Sequence, residues 1–438
     1  MSTTVKWLAS LGLLTALTIF AIVTLSRAPE EATTEQHESP LAQETPPDPS
    51  EEPVPTPFEA IVNQEVVAPP TPIAKELPTP IPIGELPLIP EAAGREERSF
   101  WIYYWFDNEV WRIDSEGNDR EKLLDTYEQV EQWLTGHPVP NTDCCWSGPR
   151  VVVSPDGRKL ALVVVDKINV GKASAPFQFS IYTFDLESRE LQRISTGVQP
   201  VWSPDSIRIA FFDGNALYVS DLAAGKIRKV AVLAESHQTV SEYAWSTDGQ
   251  RIAYTVNEGF PRLPILWLAN VDAVNPPRKL AEFAVEHPPY GLAWTSDSTL
   301  LFLSSAGSRD HYPQNQFRNL SSIALHTKQP EPMTSNMVVQ NYHISPDQQW
   351  IAIAGYFPHE QQPNHYQADV WFQDVERLEL RRGTTNSPGV GIVGWTPDGT
   401  RLLLWQPEGK PAFLSLKEGS VTEVDFALAA NYAIGGLK

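Results

Sequence analysis

One short turn is written six times along this chain, and that repetition limits the fold more than any other feature. The copies are Ser154-Pro155-Asp156-Gly157, Trp202-Ser203-Pro204-Asp205, Trp245-Ser246-Thr247-Asp248-Gly249, Trp294-Thr295-Ser296-Asp297-Ser298, Ser345-Pro346-Asp347 and Trp395-Thr396-Pro397-Asp398-Gly399. With the Asp as marker, the steps are 49, 43, 49, 50 and 51 residues. A fixed period of this size belongs to solenoids, propellers or arrays, where each unit buries its apolar face only against its neighbours.

Each unit has the same internal order. A short apolar run leads into the turn, as in Tyr243-Ala244-Trp245, and another leaves it, as in Arg251-Ile252-Ala253-Tyr254-Thr255-Val256. A third run follows, for example Leu217-Tyr218-Val219-Ser220-Asp221, and a shorter one closes the unit, as in Lys226-Ile227-Arg228-Lys229-Val230. These runs are β-branched and aromatic, bounded by Gly, Pro, Asp and Ser, which is the signature of strands. In the turn itself Pro presets φ, Asp bonds back to its own backbone and Gly accepts φ > 0. Asp156, Asp205, Asp248, Asp297, Asp347 and Asp398 are therefore read as turn formers and not as a catalytic set. Four strands in ~45–50 residues make one propeller blade.

Units that run W-S-P-D-G, then I-A-F or I-A-Y, then L-Y-V-S-D-L resemble the TolB-type propeller repeat, a relative of WD-repeat blades. The resemblance spans roughly residues 100–425. It implies a fold and leaves function open, because such propellers carry unrelated activities. No separate folded domain is read ahead of the propeller, so the partners of TolB itself are not carried over.

The repeat opens in mid-blade. Trp101–Phe106, Glu109–Asp114 and Lys122–Leu124 match strands two to four of a unit that lacks its first strand. At the other end, Asn431-Tyr432-Ala433-Ile434-Gly435-Gly436 resembles Glu242-Tyr243-Ala244-Trp245-Ser246. The carboxy-terminal stretch is thus expected to complete the first blade and remove the last open sheet edge. The fold class expected is all-β, a seven-bladed β-propeller in preference to six or eight blades, over residues 99–438.

Ahead of it, residues 1–27 read as a tail and membrane anchor. The stretch from Trp7 to Ser26 carries no charge and at ~1.5 Å per residue would span a bilayer core of about 30 Å. An uncleaved anchor fits better than a cleaved signal peptide, since no small-residue cleavage site follows the apolar run. The charges flanking it put the amino terminus inside and the propeller outside, as a single-pass protein of a bacterial cell envelope. Residues 28–98 hold 16 Pro and 15 acids, a composition read as a disordered tether. Formal net charge is −21, which argues against a nucleic-acid backbone as partner.

Candidate binding residues lie opposite the Asp turns, where the longest connections fall: Asp125–Pro149, Asp166–Gln178, Ser305–Arg318 and Gly355–Gln367. Long connections on a rigid scaffold concentrate binding residues. His311 and Tyr312 lie in one, and Tyr356, Phe357, His359, His365 and Tyr366 in another, with Trp133, His137, His237 and His287 in crossovers. They are read as a rim for protein or glycan, against the plainer reading of loops that pack on themselves. His359 and His365 match no tight metal-ligand spacing, so neither metal nor cofactor is expected. His343 takes an inner-strand position that is otherwise apolar, either lining the channel or satisfied locally. Cys144 and Cys145 are adjacent and make no structural framework. No G-x-S-x-G, H-E-x-x-H or phosphate-loop motif occurs. The expectation is a tethered protein- or glycan-binding module and not an enzyme. The alternative is a hydrolase or lyase acting on glycans or peptides at the central channel.

Overall fold

The computed structural model describes residues 88–126 without 107, and residues 151–438 apart from 169–176, 234–238, 258–263, 284–288, 296–297, 307–316, 328, 335–337, 360–361, 377–379, 385–390, 407–410 and 425–430. Within these it forms seven four-stranded antiparallel sheets. The expected anchor and most of the tether lie outside the described residues. Among the described residues, no helix is long and apolar enough to cross a membrane.

Blade two is built from Val151–Val153, Lys159–Ile168, Phe177–Asp185 and Leu191–Thr196, and blade three from Val198–Trp202, Arg208–Asp213, Ala216–Asp221 and Lys226–Val232. Blade four holds Thr239–Trp245, Arg251–Asn257, Ile265–Asn270 and Arg278–Glu282, and blade five Tyr290–Trp294, Thr299–Ala306, Phe317–Ala324 and Pro330–Pro332. Blade six holds Val338–Ile344, Trp350–His359, Gln362–Asp374 and Leu380–Arg382, and blade seven Gly391–Trp395, Arg401–Trp405, Pro411–Ser415 and Val421–Glu423. Blade one is composite. Phe100–Phe106, Glu109–Asp114 and Arg120–Asp125 take their inner strand from Asn431–Leu437, with Ile102 opposite Ile434. Both ends of the repeat meet in one sheet, as the sequence predicts.

The apolar core is divided among the blade interfaces. Trp202, Ile209 and Phe211 of blade three pack on Ala161 and Ile181 of blade two, and Leu403 and Phe413 of blade seven pack on Phe100 and Ile102 of blade one. Second strands are covered from both sides, so Ile252–Val256 is buried without alternation. This explains why these strands read as continuous apolar runs.

The turns follow one design. The Asp248 carboxylate accepts the Ser246 hydroxyl at 2.5 Å and the Gln250 N–H at 3.0 Å, while the Ser246 Oγ accepts the Arg251 N–H at 2.9 Å. The same set forms around Asp156, Asp205, Asp347 and Asp398. Asp297 lies outside the described residues. Positive φ follows the Asp at Gly157, Gly249 and Gly399, but also at Ser206, Ser298 and Gln348. Glycine is therefore not required there, although a side chain in that conformation costs on the order of 1 kcal/mol.

Tryptophan before the turn has a second task. Trp202 Nε1 donates to the Val152 carbonyl at 3.0 Å, Trp245 to Val201 at 3.0 Å, Trp294 to Ala244 at 3.1 Å and Trp395 to His343 at 2.9 Å. Each acceptor is the residue one step before the corresponding position in the preceding blade. Tyr243 adds a bond back to Ala210 at 3.1 Å, and Tyr342 one to Gly291.

Among the described residues, packed structure extends back to Leu88, ahead of the expected boundary at residue 99. A short 3₁₀ helix, Pro90–Gly94, carries Ala92 into the interface between blades six and seven, together with Leu88 and Ile89. Burying the two larger side chains stabilises this seat by about 1.5–3 kcal/mol each.

Replacing Trp245 or Trp294 by Phe keeps most of the buried ring and removes the indole N–H. Each is expected to cost about 1–2 kcal/mol, read as a lowered denaturant midpoint. Unchanged midpoints in both variants would exclude these bonds as stabilising links. Deleting residues 431–438 should uncover the Phe100–Phe106 edge and give aggregates on size exclusion. A truncated chain that stays monodisperse with an unchanged melt would show that the composite blade is dispensable.

Candidate functional site

Because the Asp turns join first and second strands, they share one face, and the connections between second and third strands share the other. On that second face the blades differ. In blade three the hairpin is tight, turning through Gly214 at φ 60° and Asn215 between Asp213 and Ala216. In blade two, inner-strand pairing ends at Val151 opposite Leu162, but the central hairpin continues to Ile168 opposite Phe177. In blade five it continues past Leu303 to Ala306 opposite Phe317. Blade six has the longest paired central hairpin among the described residues. The inner strand stops at Val338 opposite Tyr356, and the hairpin goes on through Phe357 opposite Gln367 and Pro358 opposite Tyr366 to His359 opposite Gln362.

The expected loops therefore need correction. Most of Gly355–Gln367 is paired strand, as are the ends of Asp166–Gln178 and Ser305–Arg318. Of the rim residues, Tyr356, Phe357, His359, His365 and Tyr366 all stand on this one hairpin of blade six. His311 and Tyr312 lie outside the described residues, as do Trp133, His137, Cys144, Cys145, His237 and His287. Asn319, in the N-x-S sequon Asn319-Leu320-Ser321, sits in the strand Phe317–Ala324.

The base of the blade six hairpin is clamped. Asp369, whose side chain is 1% exposed, accepts Arg382 Nη2 at 2.5 Å and the Thr384 hydroxyl at 3.3 Å. The Thr384 hydroxyl in turn accepts the Val370 N–H at 2.9 Å. A buried carboxylate with its partners in place holds local geometry firmly, since loss of either side leaves an uncompensated charge.

His343 is satisfied locally. Burial lowers its pKa to about 4, against a hydrogen bond to the Ile392 backbone that works in the opposite direction. The imidazole is thus neutral across the physiological range, held against blade seven. Asn341, two residues earlier, spans the same gap: its amide donates to the Ile392 carbonyl at 2.5 Å and its oxygen accepts the Ile392 N–H at 3.2 Å.

Glu242 occupies the matching place in blade four, and nothing in its strand pattern marks it out. Its carboxylate accepts the Leu292 N–H of blade five at 2.9 Å. Burial raises its pKa above the ordinary carboxylate value, while backbone hydrogen bonds from Leu292 and Gly291 act to lower it. Its charge adds to the burial that raises the Tyr342 hydroxyl. Among the described residues, no three or more His, Cys, Asp or Glu come together as a metal site.

Ring, turns and interfaces define the class: a seven-bladed β-propeller whose structural neighbours are TolB-like and other propellers. No family model matches the chain and no curated protein matches it. Among solved structures, a prolyl endopeptidase aligns with a TM-score of 0.50 and 13% identity, over 78% of this chain and 49% of that one. An oligogalacturonate lyase in complex with manganese aligns at 0.49 and 14%, over 75% and 85%. A TolB protein of Agrobacterium tumefaciens aligns at 0.40 and 18%, over 59% and 90%. At these identities the likeness is one of fold alone.

Glu242→Gln tests the buried carboxyl. An acid whose folded pKa is raised contributes stability below the unfolded value of about 4.3 and loses it as pH climbs through the folded value. The variant should melt with the wild type near pH 4 and above it at pH 7. A gap that does not change with pH would mean that Glu242 titrates alike in both states.

Proposed function

We propose that the chain is a membrane-tethered binding propeller, with its ligand surface on the face opposite the Asp turns and centred on the raised hairpin of blade six. The observation that carries this reading is the contrast between faces. One repeats a single turn, while the other carries hairpins of unequal height, and that of blade six bears Tyr356, Phe357, His359, His365 and Tyr366 on a base fixed by Asp369 and Arg382. A paired backbone beneath an aromatic-rich stretch lowers the entropy lost on binding, which favours a protein or glycan ligand. In this reading residues 7–26 anchor the chain and the propeller lies outside the cytoplasmic membrane.

The test is capture of partners from envelope extracts by the full chain and by a variant with Tyr356, Phe357 and Tyr366 replaced by Ala. The variant should lose captured partner at least tenfold while its thermal melt moves little. Equal capture by both chains removes this hairpin from the binding surface.

A further inference from the structure

The turn face holds a repeated seat for a guanidinium, and in one blade the seat is filled from elsewhere in the chain. In blades three and four the residue three after the turn Asp is an arginine. Arg208 pairs back to Asp205 at 2.6 Å and lies over the Trp245 ring at 5.2 Å; Arg251 pairs to Asp248 at 2.9 Å and lies over Trp294 at 5.6 Å. Arg208 lies so close to Gly249 of the next turn that a Cβ there would strike it, and Pro204 borders the same point.

Blade six has Trp350 at this position and supplies no cation of its own. Arg95, 252 residues away from Asp347, pairs with it at 2.5 Å. Its guanidinium stands against Gly399 of blade seven, with Pro346 bordering the same point, as Arg208 and Pro204 do at Gly249. The replaced residue is used as well: Trp350 Nε1 donates to the Glu91 carboxylate at 3.1 Å. Leu88 donates its N–H to the Leu416 carbonyl at 2.8 Å, and the Arg98 N–H reaches Asp398 at 2.8 Å. Burial by itself would raise the Asp347 carboxyl, but the Ser345 hydroxyl, Arg95 and the Gln349 N–H together hold it below its usual value.

We propose that the groove across the turns of blades six and seven is a peptide-binding site and that residues 88–98 are its occupant in cis. The groove reads an apolar pair, a carboxylate and a guanidinium at spacing i, i+1, i+3 and i+7, which are Leu88, Ile89, Glu91 and Arg95. The segment thus clasps the tether to the propeller. This site is separate from the hairpin face and does not rest on the function proposed for it.

The probe is a labelled peptide of residues 86–98, titrated onto two full-length chains, the wild type and the double variant Leu88→Asp/Arg95→Ala. An occupant joined in cis competes at high effective concentration, so the peptide should bind the variant at least tenfold more tightly than the wild type. The same peptide carrying Arg95→Ala should lose that binding at least tenfold. No binding to a variant that still melts cooperatively, or equal binding to both chains, overturns the proposal. Should the variant fail to fold, trypsin on the native wild type decides: cleavage after Arg95 and Arg98 should wait for global unfolding, and rapid cleavage there in the native chain refutes the clasp.

Discussion

The hydrogen bond from a tryptophan indole to the carbonyl of the preceding blade is the constraint around which the ring is arranged. A propeller blade is a twisted sheet with two apolar faces, and apolar contact alone leaves it free to slide against its neighbour. One directional bond at the innermost strand removes that freedom. It also explains why the acceptor position can vary in sequence. Val152, Val201, Ala244 and His343 differ in size and polarity, but only their carbonyls are needed. The donor is absent from three blades, where Ile434, Val153 and Ile344 take its place in blades one, two and six; at blade six the Tyr342 hydroxyl reaches back to Gly291 of blade five.

With the inner strands registered in this way, the two faces of the ring are under different demands. On the turn face, Ser or Thr, Asp and a positive-φ residue recur because each closes the same hydrogen-bond set. Opposite, a hairpin may lengthen without disturbing the ring, since its extra pairs lie beyond the last inner-strand pair. Variation is therefore channelled to one face. The groove between blades six and seven departs from this rule, and its departure coincides with Trp350 standing where blades three, four and seven carry Arg208, Arg251 and Arg401.

The repeat was legible because its turn needs particular side chains at fixed spacing, and the composite blade because the Asn431–Gly436 stretch copies an inner strand. Three features were not legible, each for its own reason. Pro358, Pro363 and Asn364 give Gly355–Gln367 the look of a loop, but the pairing partners that make it a hairpin lie within the same stretch and show no simple alternation. Leu88, Ile89 and Ala92 sit in a Pro- and Glu-rich context that reads as tether, and their burial depends on surfaces more than 250 residues later. Glu242 occupies an ordinary polar position in Thr239–Trp245. Only the approach of blade five turns it into a half-buried acid with a raised pKa.

The composite first blade has a consequence in time as well as in space. Ile102 pairs with Ile434, so about 330 residues must be made after one strand before its partner exists. At usual synthesis rates of roughly 5–20 residues per second, the wait is on the order of tens of seconds. Throughout it, Phe100–Phe106 has an unpaired edge, and six blades can stack only as an open arc. Synthesis of Asn431–Leu437 is then the event that turns the arc into a ring, and a ribosome stalled before that strand would hold the stacked blades with one edge of Phe100–Phe106 still unpaired.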